Sequence, residues 1–241
     1  MKRLAIVWAC LLIWAPAVFA LSPHEVAIAL KKSRPDLPIV NIKKSRLPGF
    51  YEVSIGEGRT LYVTDDAKHF IMGDLFSVDD KGFTNLSEED RAVDRKKLMA
   101  TVADKDTIIF SPPKDKVKAT ISVFTDVDCP YCRKFHQEVP ELNSMGIAVR
   151  YLAYPRAGVG SAAYKKMVSA WCSDDPHKAL TMEKAGHDVA PRTCPNPVAA
   201  EYKLGNEVGV TGTPTLVYED GTLVPGYLPA KVLAKSLGVL N

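Results

Sequence analysis

The sequence predicts an α+β chain in two unlike parts, and three observations carry that reading. Short β-branched and aromatic runs crowd residues 38 to 78 behind a single capped helix; a heavily charged stretch with helical character follows; strands and helices then alternate to the C-terminus. The first part reads as a small antiparallel sheet with one helix, the last as a mixed sheet covered on both faces.

The elements follow in order. The first twenty residues, MKRLAIVWACLLIWAPAVFA, start on Lys2 and Arg3, run apolar from Leu4 to Trp14 and end at Val18-Phe19-Ala20. That is the layout of a secretory signal peptide cleaved after Ala20, and its apolar run of about a dozen residues is short for a bilayer span. An exported chain beginning at Leu21, working in an oxidising space, is the expectation. Loss of the leader removes Cys10 and, with Lys2 and Arg3, lowers the formal charge from +3 to +1. So balanced a chain gives no reason to expect nucleic acid or an anionic membrane as partner.

Ser22-Pro23-His24-Glu25 opens a helix: Ser22 caps it, Pro23 takes the first helical position and Glu25 completes a capping box. Val26, Ile28, Ala29 and Leu30 give it an apolar side before Ser33-Arg34-Pro35 stops it. PIVNIKKSR, FYEVSIG, TLYVT and HFIMGDLFSV read as strands, divided by turn signals at Pro48-Gly49, Gly56-Gly58 and Asp65-Asp66. A unit of about sixty residues buries only a modest core, which makes pairing with a second copy reasonable. SEEDRAVDRKKLMATVA, residues 87–103, reads as a solvated helix linking two domains, with Ser87 as N-cap and acids in its first turn.

Beyond it, DTIIF and KATISVFTD read as strands, a helix runs from Pro130 to about Asn143, and GIAVRYLAYP is a further strand. Helices follow around 161–172, 176–185 and 197–208, TLVYED and GTLVPGY form a hairpin across Asp220-Gly221, and Pro229 begins a last helix. The division is a leader (1–20), an N-terminal domain (21–85), a helical linker (86–104) and a C-terminal domain (105–241).

The chemistry centres on TDVDCPYCRKFH, residues 125–136. Cys129 stands at a strand-to-helix junction, where unpaired N–H groups and the helix dipole favour a thiolate. Pro130 suits the first helical position, and Cys132 lies one turn inside, near enough to close a disulfide. A thiolate at Cys129 can attack a substrate disulfide and Cys132 can resolve the mixed disulfide. Asp126 and Asp128 should raise the Cys129 pKa, while Arg133, Lys134 and His136 should lower it; Asp128 can alternatively cap the helix. His136 shares the Cys132 face, either tuning the pair or standing as a partly exposed histidine without a role.

Four cysteines, Cys129, Cys132, Cys172 and Cys194, remain after the leader, and they allow three connectivities. Local pairing leaves one reactive bridge and one staple, Cys172–Cys194, closing a loop of about 23 residues with a stabilisation of roughly 3 kcal/mol. A four-cysteine zinc site usually shows two close pairs, and the wide spacing of Cys172 and Cys194 argues against a metal. At GVTGTPTLV, residues 209–217, Pro214 opens a strand, either through a cis bond or as an ordinary trans proline on an edge.

In this order, LYVTDDAKHFIMGDLF, ISVFTDVDCPYCRKFH, GIAVRYLAYPR, WC, VAP…C, GVTGTPTLV and DGTLVPGY resemble the DsbC family of periplasmic disulfide isomerases, within the thioredoxin-fold superfamily. The resemblance runs over essentially the whole chain after the leader. It implies a homodimer in which the N-terminal domain pairs, a helical linker follows, and a thioredoxin-fold domain with a helical insertion carries the active thiols. By the same resemblance Cys129 attacks and Cys132 resolves, Cys172 and Cys194 form the structural bridge, and Thr213-Pro214 is a cis-proline loop that faces the active pair and binds substrate. Misoxidised or unfolded exported proteins are the implied substrates and the membrane reductase DsbD the implied electron donor; neither cofactor nor metal is implied. The dipeptide Pro130-Tyr131 departs from the Gly-Tyr of the DsbC pattern and matches the DsbG pattern, so a narrower reductase or chaperone, acting on single sulfenylated cysteines, is the alternative.

Overall fold

The computed structural model describes residues 20–56, 58–80 and 82–240. The signal peptide expected over residues 1–20 lies, apart from Ala20, outside the described residues.

Helix α1 (Pro23–Ser33) carries the capping box: Ser22 Oγ accepts the Glu25 N–H at 3.4 Å, and the Glu25 carboxylate accepts the Ser22 N–H at 2.7 Å. Val26 on its inner face packs against Tyr51, Val53, Ile55, Leu61 and Val63. Those residues come from an antiparallel sheet of β1 (Ile39–Lys44), β2 (Phe50–Ile55), β3 (Arg59–Thr64) and β4 (Phe70–Met72), paired in chain order. The run HFIMGDLFSV is not one strand. Gly73, at φ +154, ends β4, and Asp74 is held by Arg91 at 2.7 Å and Asn85 at 2.6 Å. The chain then starts a separate two-stranded hairpin of β5 (Phe76–Asp79) and β6 (Gly82–Asn85).

Helix α2 (Leu86–Met99) is capped by Asn85, whose side chain accepts the Glu88 N–H at 2.9 Å. Ser87, expected as the cap, is buried instead: its hydroxyl accepts the Leu75 N–H at 2.7 Å and meets the Tyr62 hydroxyl at 2.5 Å. A buried serine needs partners, and the turn before β5 offers one that a solvated cap would not. Nor is α2 solvated all round. Arg95 is buried and donates to the carbonyls of Val208 at 2.9 Å and Gly221 at 2.6 Å, while pairing with Glu88 at 2.9 Å. At Gly221, with φ +93, an added Cβ would stand 2.0 Å from the Ala92 carbonyl oxygen of α2. Only glycine allows that approach. The helix is therefore fastened to the C-terminal half.

There the sheet runs β11-β10-β8-β9-β7, made of β7 (Ile108–Phe110), β8 (Ala119–Thr125), β9 (Ile147–Ala153), β10 (Thr215–Tyr218) and β11 (Leu223–Pro225). β8 and β9 are parallel, from Ala119↔Ile147 to Thr125↔Ala153, and the other pairs are antiparallel. The helix expected from Pro130 to Asn143 is two: α3 (Pro130–Gln137) and α4 (Val139–Ser144), meeting at Glu138. Pro140 explains the break, because it has no N–H to offer the carbonyl of His136 and its ring crowds that carbonyl. Between β9 and β10 lie α5 (Ala162–Trp171), α6 (Pro176–Lys184) and α7 (Val198–Val208), and α8 (Ala230–Ser236) closes the chain. A disulfide joins Cys172, just after α5, to Cys194, ahead of α7. Ile121, Val123, Val149, Tyr151 and Leu216 line one face of the sheet and pack with Phe135, Leu142, Met167 and Leu180, while Phe124, Leu152 and Val217 on the other face pack with Met99, Tyr154, Val208 and Val210.

Candidate active site

β8 delivers its last residue, Thr125, to a short turn in which Asp126 Oδ1 accepts the Asp128 N–H at 2.8 Å. Cys129 occupies the N-cap position of α3 and Pro130 the first turn, where a missing N–H costs nothing. Asp128 does not cap the helix; its carboxylate pairs with Lys166 at 2.9 Å and Arg133 at 3.4 Å. Both thiols are free, Cys129 2% exposed and Cys132 fully buried. The Cys129 thiol donates to the Thr213 carbonyl at 3.2 Å. The Thr213-Pro214 peptide is cis, and Thr215 Oγ1, donating to Gly212 O at 2.7 Å, and Gly226 N–H, donating to Pro214 O at 2.8 Å, hold the loop.

The two sulfurs are electrostatically unlike. A hydrogen bond from the Cys132 thiol, hydrogen bonding at Thr213, the Cys132 N–H and the charge of Arg156 bring Cys129 down from 9.0 to about 5, against the effect of burial. Burial pushes Cys132 far the other way, reinforced by Cys129. The sequence placed the helping charges on α3, at Arg133, Lys134 and His136. The structure adds Arg156, from the loop after β9, held by Asp126 Oδ2 through its backbone N–H at 2.9 Å and its Nε at 3.1 Å. Arg133 turns back to the Val127 carbonyl at 2.8 Å, and Lys134 lies 4.4 Å over the Tyr227 ring. The arrangement favours ionisation of the one thiol and keeps the other protonated and shielded, the asymmetry that stepwise disulfide exchange can use.

His136, read from sequence as partly exposed, is buried on the inner side of α3. Its Nδ1 lies 3.0 Å from the Tyr151 hydroxyl and its Nε2 3.0 Å from Thr181 Oγ1. Burial and the charge of Lys184 lower it to about 4, so the ring is neutral at pH 7. Tyr131, between the thiols in sequence, is 62% exposed and stacks against Tyr227 at 6.4 Å. The site thus has an aromatic rim. Sequence reasoning missed Arg156, Tyr227 and Lys184; for Lys184 the signal was its i+4 spacing from Leu180 on the inner face of α6.

A paired thiol at the N-terminus of a helix, above a thioredoxin-type sheet and facing a proline loop, defines a thiol-disulfide oxidoreductase. Residues 110–240 match the thioredoxin-like domain, and residues 19–88 match the disulfide bond isomerase protein N-terminal domain. The thiol:disulfide interchange protein DsbC of Dickeya dadantii is 40% identical over 214 residues, 88% of this chain and 86% of the relative. DsbC of Escherichia coli K12 is 38% identical over 213 residues, covering 88% and 87%. Among solved structures, the disulfide interchange protein from Neisseria gonorrhoeae superposes with a TM-score of 0.51 at 30% identity, covering 57% of this chain and 96% of that one. The chain belongs to the DsbC family of thiol:disulfide interchange proteins.

Proposed function

We propose that Cys129 attacks non-native disulfides of exported proteins in the periplasm and that Cys132 resolves the mixed disulfide. The observation that carries this reading is the opposed ionisation of the pair: Cys129 is lowered to about 5 and Cys132 is raised by burial. Attack leaves Cys129 covalently joined to one substrate sulfur and releases the other as a thiolate. The released thiolate then attacks a different substrate disulfide, or Cys132 displaces the substrate and the pair leaves oxidised. The Thr213 carbonyl, released when the Cys129 thiol gives up its proton, is positioned to accept a substrate backbone N–H, and Pro214 shapes the loop. Cys172–Cys194 staples the helical insertion and takes no part in exchange.

A membrane reductase of the DsbD type fits as the electron donor that returns the pair to the dithiol state. A homodimer fits the exposed apolar side chains of the N-terminal half: Phe70, Ile71 and Met72 on β4, and Phe76, Val78 and Phe83 on β5 and β6, are all at least half exposed. An exposed apolar surface of this kind marks a protein interface. Reactivation of scrambled ribonuclease tests the proposal. Wild type should restore activity, Cys129→Ser should not, and Phe83→Asp should sediment as a smaller species and lose isomerisation. Reactivation by Cys129→Ser at the wild-type rate would refute it.

A further inference from the structure

Lys184, the last residue of α6, points into the protein beneath the thiols. It is 3% exposed, its Nζ lies 2.6 Å from Thr125 Oγ1, and it stands 5.2 Å over the Tyr151 ring. Among the described residues Thr125 is the one hydrogen-bond partner of Nζ, and no carboxylate lies within ion-pair distance. The nearby carboxylate Asp126 is committed to Arg156 and to the Asp128 N–H. Thr125 is fully buried, and its side chain interacts with the Cys132 sulfur and favours its thiolate. Sulfur, hydroxyl and amine thus form a continuous chain away from solvent, ending on a helix that belongs to the insertion and not to the frame that carries the thiols. A buried amine without a carboxylate is costly to keep charged. Burial lowers Lys184 from its ordinary value, against the opposing charges of Cys132, Asp126 and Cys129 and with the help of Arg133. The remaining titratable groups near it are Tyr151 on β9, His136 on α3 and Glu183 on α6.

Resolution of a mixed disulfide needs a Cys132 thiolate, yet Cys132 is the thiol that burial keeps protonated. Solvent cannot take the proton directly, because the sulfur is fully buried. We propose that Lys184, acting through the Thr125 hydroxyl, takes up the Cys132 proton as Cys132 attacks the mixed disulfide, an inference that rests on the roles given above to the two thiols. The Cys132 proton passes to Thr125 Oγ1, and the Thr125 proton passes to the unprotonated form of the Lys184 amine, which burial favours and which becomes an ammonium. The Cys132 thiolate forms a bond to Cys129 Sγ, the bond from Cys129 to the substrate sulfur breaks, and the substrate leaves with the electron pair as a thiolate that water protonates. Reduction of the Cys129–Cys132 disulfide returns the proton along the same path. Lys184 does not touch the reacting sulfurs; it positions and holds the proton.

Reduced protein mixed with glutathione disulfide, quenched in acid and weighed by mass spectrometry, separates the two steps. The glutathione adduct reports attack by Cys129, and its disappearance reports resolution by Cys132. Lys184→Met replaces the amine with an apolar chain of similar length, which a buried site tolerates well. It should slow resolution at least tenfold more than it slows attack near pH 7. Resolution should also become proportional to hydroxide, rising tenfold per pH unit through the neutral range, where wild type is flatter. Thr125→Val should slow resolution similarly, and the double variant should be no slower than the slower single variant. Resolution in Lys184→Met at the wild-type rate and with the wild-type pH profile would overturn the relay. If Lys184→Met does not fold, Thr125→Val alone decides by the same two readouts. Absence of any adduct on Cys129 in Cys132→Ala, where no second thiol resolves it, would overturn the thiol roles themselves, whereas an adduct that resolves normally in both relay variants would overturn only the relay.

Discussion

Replacing Cys132 by alanine removes the largest single contribution to the acidity of Cys129. In the reduced protein the Cys132 thiol hydrogen-bonds the Cys129 sulfur, while hydrogen bonding at Thr213, the N–H of residue 132 and the charge of Arg156 supply the rest. Only the first is lost in Cys132→Ala. A hydrogen bond to a charged group contributes roughly 1.5–3 kcal/mol, and one pH unit corresponds to about 1.4 kcal/mol. Cys129, at about 5 in the wild type, should therefore titrate between about 6 and 7 in Cys132→Ala. Ultraviolet absorbance of the thiolate, followed against pH and corrected with Cys129→Ala, reads both values. The same difference has a stability consequence. Because the folded value lies below the unfolded one, the contribution is fully present above pH 9, amounts to about 3 kcal/mol at pH 7 and is lost as pH falls through 5. Equal titration of wild type and Cys132→Ala would refute the assignment of the shift, and a wild-type value at 9.0 would refute the shift itself.

Arg95→Ala should cost about 2–4 kcal/mol in denaturant unfolding, because it leaves the buried carbonyls of Val208 and Gly221 without their donor. Hydrogen exchange across Leu86–Met99 should rise in the same variant; unchanged exchange there would mean that Arg95 does not fasten α2. His136, lowered from 6.5 to about 4, takes up a proton more readily unfolded than folded. Its contribution is thus present above pH 6.5 and about 3 kcal/mol is lost on acidification to pH 4. His136→Gln should flatten the wild-type fall in stability across that window, measured by urea unfolding at a series of pH values, and parallel curves would contradict the reading.

The elements that declared themselves in sequence are those in which local chemistry and tertiary packing ask for the same residue. Ser22, Pro23 and Glu25 cap α1 whatever it packs against, and Asp220-Gly221 turns a hairpin through the positive φ that glycine permits. Cys129-Pro130-Tyr131-Cys132 marks its strand-to-helix junction in the same way, because proline and an N-terminal thiolate both suit that position. Reading failed where a distant partner decided. Ser87 satisfies every local rule for a cap, yet Leu75 and Tyr62 claim its hydroxyl, and Asn85 takes the cap. HFIMGDLFSV alternates well enough for one strand, but Arg91 and Asn85 capture Asp74 and divide it. The charges of α2 pointed to a solvated helix, and nothing local shows that Arg95 finds two carbonyls more than a hundred residues away. At the site, Arg156 and Lys184 arrive from a loop and a helix remote in sequence, so their action on the thiols becomes visible only in three dimensions.

The central claim is the division of labour between the two thiols, and trapping the covalent intermediate tests it most directly. Cys132→Ala, incubated with scrambled ribonuclease and quenched in acid, should accumulate a one-to-one mixed disulfide that peptide mapping places on Cys129. Cys129→Ala should accumulate none, since its remaining thiol is buried and protonated. A mixed disulfide on Cys132 of Cys129→Ala, formed as fast as the adduct on Cys129, would contradict the assignment.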